Sequence, residues 1–435
     1  MYSVGDSQFG KLGNGSFGEY GLKEKSAIFL MDRAVDVATG KNHSVIVTDE
    51  GNVHTFGCGK FGQLGHGSVD SEATPRVIED FINRDIRIVS AACGDNHTIC
   101  LTDSGLVYGF GCGSSGQLGI LCCLNKKEEM SLVEKSQLMF VCSPKLVQIM
   151  RPLQQETEEY RRLRMKKTFV EIDKVKCGSD YSAFLTKQGQ LWMCGSGLTG
   201  VICNGTFVSK NYEPSECQFK VPEKKNEYKI TIDIDLSPGE DGESIDVKFM
   251  ADFDVYRVQP PVSTFLPYCH EKPYSQTKTP KNRAISSPHW KRYLPKIENP
   301  VPDQPIKIID YCCGNGHMLC ISREQRVFAA GLNFNGQLGI KNKTSQCRLI
   351  EITHLLPYRI CVEGIQQIIC GTDFSVIITA AGNAFAAGRF PGNHEDSTSF
   401  VEIDSLKDSV WFVDKMYGRN SNCLFVSRQL RDVQE

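Results

Sequence analysis

The sequence predicts an all-β fold, a propeller of seven antiparallel sheets, and three observations carry that prediction. An opening half-unit recurs at Gly40, Gly94, Gly178, Gly314, Gly371 and Gly418, often with His-Ser or His-Thr three residues on. A closing half-unit, GxGxxGQLG or a relative of it, recurs at Gly5, Gly57, Gly111, Gly195, Gly331 and Gly388. The sequence also begins with a closing half and ends with an opening half, so its two ends together supply one further unit. Units repeating at roughly fifty residues, each too small to bury its own faces, mark a stacked array. Strands from the two termini sharing one sheet would close that array and hide two open edges.

Residues 93–119, CGDNHTICLTDSGLVYGFGCGSSGQLG, show how one unit is built. Thr98, Cys100 and Thr102 alternate with Ile99 and Leu101, as on a strand. Asp103-Ser104-Gly105 supplies turn chemistry, and Leu106-Val107-Tyr108 opens the returning strand. Gly109, Gly111, Gly113, Gly116 and Gly119 then punctuate a corner that needs positive φ or close backbone approach.

Two intervals exceed the repeat, so two inserted loops are expected in a single propeller spanning 1–435. Within 120–169, the run from Leu153 to Lys167 is acidic early and basic late, an order that suits a helix dipole and predicts a solvated helix. Within 201–305, the runs Tyr228–Leu236 and Ile245–Phe249 alternate like strands, and a degenerate seventh unit is expected there. His270 to Glu298 follows as a basic, proline-bearing loop.

Composition narrows the function classes. With 49 basic and 51 acidic residues, the chain has no overall field for nucleic acid, which leaves only a local patch. The opening MYSVGDSQFG has neither the basic nor the apolar region of a secretory leader, and no window is apolar enough to span a membrane. There are 19 cysteines, but Cys93, Cys177, Cys313 and Cys370 each precede an opening glycine and so keep step with the repeat. They read as small buried strand residues, and an intracellular protein with reduced thiols is expected. Cys122-Cys123 and Cys312-Cys313 are adjacent and do not have zinc-ligand spacing, so no metal is expected.

The motifs that suggest chemistry have structural readings. Gly57-Cys-Gly-Lys-Phe-Gly62 and Gly111-Cys-Gly-Ser-Ser-Gly116 both fit GxGxxG, but no helix is expected after them to hold a pyrophosphate. No cofactor follows. His43, His97 and His317 share their slot with Tyr181, Phe374 and Ser421, so they read as packed side chains bonded by neighbouring backbone. Gln63, Gln117 and Gln337 read as ties between sheets. No catalytic residue is nominated. The basic loop is the candidate partner-binding segment: Lys278, Lys281, Arg283, Lys291 and Arg292 lie around Trp290, Tyr274 and Tyr293. Thr279-Pro280 and Ser287-Pro288 are candidate phosphorylation sites that would subtract positive charge from it.

With the units laid out, the chain resembles the regulator of chromosome condensation repeat family. GCGKFGQLGHG (57–67), GCGSSGQLGI (111–120), GLNFNGQLGI (331–340) and GDSQFGKLGNG (5–15) carry the resemblance, with CGDNHTICLT (93–102) and CGNGHMLCIS (313–322). Gly195-Ser-Gly-Leu-Thr-Gly200 and Gly388-Arg-Phe-Pro391 depart from it. The resemblance implies a seven-bladed propeller closed by the chain ends. It also implies a spread of roles: interaction module, guanine-nucleotide exchange on a small GTPase such as Ran, or chromatin docking. No motif here matches the hairpin wedge on which the family's exchange activity depends. The expected function is therefore a non-catalytic, monomeric scaffold that binds a protein partner. Exchange on a small GTPase, or nucleic-acid docking through 278–292, are the alternatives.

Overall fold

The structure, a computed structural model, describes residues 2–5, 8–18, 22–28, 32–120, 140–152, 167–207, 210–220, 306–390, 396–403, 411–419 and 422–429. Two compact units divide the chain, residues 1–229 with 306–435 and residues 230–305. All described residues belong to the first.

The N-terminal strands β1 (Tyr2–Gly5) and β2 (Leu22–Ala27) form an antiparallel pair. Blade one follows as β3 (Ala34–Thr39), β4 (His43–Thr48), β5 (Val53–Gly57) and β6 (Glu72–Val77). The short helix α1 (Glu79–Asn83) leads to blade two: β7 (Ile88–Cys93), β8 (His97–Thr102), β9 (Val107–Cys112) and β10 (Phe140–Leu146). A two-stranded ladder, β11 (Met150–Pro152) with β12 (Lys167–Phe169), precedes blade three. That blade holds β13 (Ile172–Cys177), β14 (Tyr181–Thr186), β15 (Leu191–Gly195) and β16 (Asn211–Glu216). Blade four is β17 (Ile308–Cys313), β18 (His317–Ser322), β19 (Val327–Gly331) and β20 (Gln346–Glu351). Helix α2 (Tyr358–Glu363) joins it to blade five, β21 (Ile365–Cys370), β22 (Phe374–Thr379), β23 (Ala384–Gly388) and β24 (Ser397–Glu402). The pair β25 (Trp411–Arg419) and β26 (Asn422–Gln429) comes last.

Each blade is an up-and-down sheet with the same irregularities. The register between first and second strands slips one residue in, at Ala34/Asp36, Ile88/Ser90, Ile172/Lys174, Ile308/Asp310 and Ile365/Gln367. Such bulges increase local twist, and five at one position give five sheets the same shape. Every second strand is buried along its whole length, from His43–Thr48 to Phe374–Thr379. A strand covered on both faces needs side chains that pack on both, which explains runs such as His-Ser-Val-Ile-Val-Thr. The core is accordingly split into layers between adjacent blades. Val45, Phe81 and Phe110 join blades one and two, while Ile99, Val175 and Phe184 join two and three. Met193, Tyr311 and Met318 join three and four, and Leu319, Ile368 and Phe385 join four and five.

The hairpin expected at Asp103-Ser104-Gly105 is present, with Gly105 at φ 81° donating its N–H to the Thr102 carbonyl. The interval 120–169 is divided more finely than expected. Its residues 140–146 are β10, the outer strand of blade two, and the helix expected at Leu153–Lys167 falls almost entirely outside the described residues. This outer strand is only partly buried and its burial does not alternate, so it lacks the period-two pattern of a half-buried strand.

The interval 201–305 likewise starts inside a blade, since Val201–Cys203 and β16 complete blade three. The sheets flanking its remainder pack directly on one another. Tyr311 of β17 donates its hydroxyl to the Ala183 carbonyl of β14, and Gly200 lies against the Gln346 carbonyl of β20. Blades three and four thus adjoin among the described residues, and the degenerate unit expected in this interval falls on residues that are not described. The runs 228–236 and 245–249 lie outside the described residues.

Candidate interaction surface

The loops at one end of the blades are built from the two glycine motifs. The opening turn joins first and second strands; the closing corner joins third and fourth. At the mouth of each corner the strand-ending glycine is left-handed, and the next residue donates its N–H back to the opening turn. Cys58 reaches the Asn42 carbonyl, Cys112 that of Asn96, Ser196 that of Asp180, Leu332 that of Gly316 and Arg389 that of Asp373. The corner glycine then meets the outer strand of the following blade. A Cβ on Gly116 (φ 88°) would sit 2.4 Å from the Asn211 carbonyl oxygen, so this position tolerates glycine alone. The Gly195 and Gly388 units, which depart in sequence, keep the mouth of the corner.

The recurring slots of the two motifs meet at the seam between blades. Thr98 donates its hydroxyl to the Gln63 carbonyl at 2.8 Å, and its oxygen lies 3.0 Å from His43 Nε2. The one hydroxyl proton is committed, so His43 is the donor and carries its proton on Nε2. Blade two repeats the arrangement toward blade three: His97 Nε2 is 3.0 Å from Ser182 Oγ, which donates to the Gln117 carbonyl. In blade three Tyr181 takes the histidine slot and lies within bonding distance of the Gly314 and His317 carbonyls. In blade four His317 Nε2 donates to the Phe374 carbonyl, with Ser375 Oγ at 3.0 Å. Ser44 donates to the Lys11 carbonyl, extending the pattern to the β1–β2 segment.

The histidines therefore bond mainly to a hydroxyl of the next blade, where backbone was expected. Gln63 and Gln117 tie blades through their main-chain carbonyls, while the glutamine side chains act locally. Gln63, Gln117 and Gln337 each accept, on Oε1, the N–H two residues earlier in their own corner. Burial sets the protonation states along the seam. It lowers His317 to about 4 and pushes the Cys313 thiol up to about 12, and it raises the Tyr181 and Tyr311 phenols. Neutral imidazole and protonated thiol suit hydrogen bonding in place and leave neither a nucleophile nor a general acid poised at neutral pH. The GxGxxG stretches run into these corners and not into helices, so the helix N-terminus that a dinucleotide needs is missing at both.

Exposed apolar side chains stand at some corner tips, as they do on α2 at Tyr358 and Val362. The fourth position of the closing motif is Gln8, Lys60 and Ser114 in the first three corners, but Leu198 and Phe334 in blades three and four. Leu198 is 65% exposed, Phe334 66%, and Phe207, whose ring packs on Gly200, 52%. The blade-three corner packs on the opening turn and outer strand of blade four: Thr199 lies on Gly316, and the Arg348 guanidinium lies over Gly205. These apolar tips had no place among the sequence-derived candidates, yet aligning the corners shows Leu198 and Phe334 in a slot that is polar in the first three corners and Pro391 in the last. The candidates Lys278, Lys281, Arg283, Trp290, Lys291 and Arg292, with Thr279 and Ser287, lie outside the described residues. Among the described residues no group of three His, Cys, Asp or Glu side chains is placed to hold a metal ion. No described helix is long and apolar enough to cross a membrane.

Four-stranded blades, each joined to the next by the same few hydrogen bonds, define a repeat-built β-propeller protein. A family model for the Regulator of chromosome condensation (RCC1) repeat matches residues 50–101 and 324–378, and a second for the same repeat matches 34–63, 88–117 and 172–200. Protein RCC2 from Homo sapiens is 25% identical over 360 residues, 82% of this chain and 49% of that protein. The human E3 ubiquitin-protein ligase HERC2 is 28% identical over 220 residues, 49% of this chain and 4% of that one. The human X-linked retinitis pigmentosa GTPase regulator is 46% identical over 90 residues, 20% of this chain and 8% of its own. The chain thus spans half or less of the length of these relatives. Among solved structures, human WBSCR16 aligns with a TM-score of 0.48 at 16% identity, covering 98% of this chain and 99% of that chain. Prp20p from Saccharomyces cerevisiae, described with its binding properties to Gsp1p and histones, aligns at 0.45 and 14% identity, covering 99% and 92%. The chain therefore carries RCC1-type repeats at the matched residues, set in a repeat-built β-propeller fold.

Proposed function

We propose that this chain is a non-catalytic protein-interaction scaffold acting inside the cell. The observation that carries this reading is the assignment of side chains at the corner end. The groups able to do chemistry there, His43, His97, His317, Tyr181 and the seam hydroxyls, are buried and hydrogen-bonded between blades, while Leu198, Phe207 and Phe334 stand in solvent. A rigid rim that presents exposed side chains from fixed loops binds a partner with little ordering cost. The described cysteines are all free thiols, which fits a reducing compartment.

A second reading, guanine-nucleotide exchange on a small GTPase, draws support from the similarity to a protein named as a GTPase regulator. Exchange requires only an inserted loop and leaves little chemical signature. Release of a fluorescent GDP from Ran and a panel of small GTPases separates the two. The scaffold reading expects no acceleration at micromolar full-length chain together with saturable capture of a protein partner. Acceleration by an order of magnitude would replace it with the exchange reading.

A further inference from the structure

We propose that Cys312 and Cys370 form a reversible disulfide that fastens blade four to blade five when the protein meets a peroxide. Cys312 lies on β17 and Cys370 on β21, the first strands of the two blades, and their sulfurs are 2.8 Å apart. Both are buried free thiols in the apolar layer between the blades. A sulfur–sulfur bond of about 2.05 Å requires them to close by less than about 1 Å.

The second cysteine is not required by the fold. Blades two to five carry a cysteine just before the opening glycine, at Cys93, Cys177, Cys313 and Cys370. Its counterpart across the seam is the residue two before the preceding blade's opening glycine. Cys93 shares its layer with Ala38 and Cys177 with Ala92, and the Lys176 charge acts on Cys313. Between blades four and five, alone among these described seams, the counterpart is itself a cysteine and two thiols meet. Cys313 does not compete for them. It sits on the opposite face of β17, against the layer shared with blade three.

Hydrogen peroxide balances the reaction. One sulfur, as thiolate, attacks a peroxide oxygen and breaks the O–O bond, giving a sulfenic acid and a hydroxide that leaves as water with the first thiol's proton. The second sulfur attacks the first, forming the S–S bond and breaking the S–O bond, and the expelled hydroxide leaves as water with the second proton. Two thiols lose two electrons, and one peroxide becomes two waters. Burial pushes the Cys312 thiol up, its hydrogen bond to Cys370 acts in the same direction, and the Lys176 charge opposes both. Cys312 therefore rests protonated and reacts slowly, through local opening of the seam to a molecule little larger than water. Once one sulfur is oxidised, its neighbour captures it before further oxidation. In a reducing compartment such a bond is transient, returned to two thiols by exchange with cellular thiols.

The test exposes the folded full chain to hydrogen peroxide, then blocks remaining thiols with N-ethylmaleimide in denaturant and maps the peptides by mass spectrometry. Exposed Cys361 reports the oxidant dose. The expected product is a pair of peptides joined through Cys312 and Cys370, lighter by two hydrogens and separated by dithiothreitol. Oxidised wild type should also show a higher urea midpoint than reduced wild type, because the bond constrains the unfolded chain. In Cys312→Ala, which copies Ala92 at this position of blade two, the link and the rise should both vanish. Cys313→Ser should keep both. Thermal melting of the reduced variants checks their folding, and the wild-type mapping stands without them. Cys312 and Cys370 still open to N-ethylmaleimide after Cys361 is oxidised would overturn the proposal. So would sulfinic acid on either without the link, a link to any other cysteine, or a link that forms only in urea. An oxidised wild type with an unchanged midpoint would overturn the fastening of the two blades.

Discussion

Gln325 occupies a position that three-dimensional geometry reserves for glycine. The turn between second and third strands has a left-handed residue in each blade, Gly51, Gly105, Gly189 and Gly382, and in blade four it is Gln325 at φ 60°. Its side chain makes one long contact, Oε1 to the Ile365 N–H at 3.4 Å. Gln325→Gly should therefore stabilise the protein by about 0.5–1 kcal/mol, visible as a higher denaturant midpoint; a decrease would show that the side chain matters more than the backbone. Gly116→Ala is the converse. A methyl group against the Asn211 carbonyl cannot be relieved by side-chain rotation, and a loss of more than about 2 kcal/mol is expected. His317 gives the pH dependence. Its neutral form is favoured on folding, so its contribution is complete above the unfolded pKa near 6.5 and is lost as pH falls toward about 4. The loss amounts to about 3 kcal/mol over that window. In His317→Phe, which copies the residue of blade five, the stability between pH 6.5 and 4 should be flatter by that amount, measured by urea titration at each pH.

At the scale of the element, the outer strands and their connections explain what the sequence did and did not reveal. Second and third strands were legible because they are flanked by glycines and filled with buried residues. Fourth strands such as β10 and β16 carry mixed burial, and Pro214 sits inside one, so they merged with the insertions beside them. The apolar tips were missed for another reason. An exposed Leu or Phe is unremarkable alone, and Leu198 and Phe334 become informative only against Gln8, Lys60 and Ser114. The seam histidines were legible as packing residues, but their partners belong to another repeat, out of reach of any local reading. Helix α2 supplies a prediction of its own. Glu363 at its end accepts from Thr379, Asn383 and Arg359, fastening the connection to blade five. Glu363→Ala should cost about 1–3 kcal/mol by leaving the partly buried Thr379 and Asn383 groups unpaired, again read from the denaturant midpoint.

For the whole molecule, the pattern is one of sheets that cannot stand alone. Blades one to four each lend a His or Tyr to the next, the histidines meeting a hydroxyl and Tyr181 two carbonyls, so the layers between blades are polar near the corners and apolar farther in. Stability in such an array depends on nearest neighbours. The two terminal pairs have complementary strand roles, β25–β26 as an opening hairpin and β1–β2 as a closing one. If they share a sheet, fluorophores at positions 3 and 427 should show efficient energy transfer that vanishes on unfolding; transfer no higher than in the denatured chain would exclude closure.

The direct contact of blades three and four also has a practical meaning. The backbone leaves at Phe219, which bridges to Leu349, and returns at Ile306, and both residues settle on one apolar cluster. The port that these two residues frame is therefore held by one apolar layer. Replacing 221–305 with a short Gly-Ser tether should leave the melting of the remainder intact. By the same logic, a foreign module could be spliced in at that port without disturbing its host.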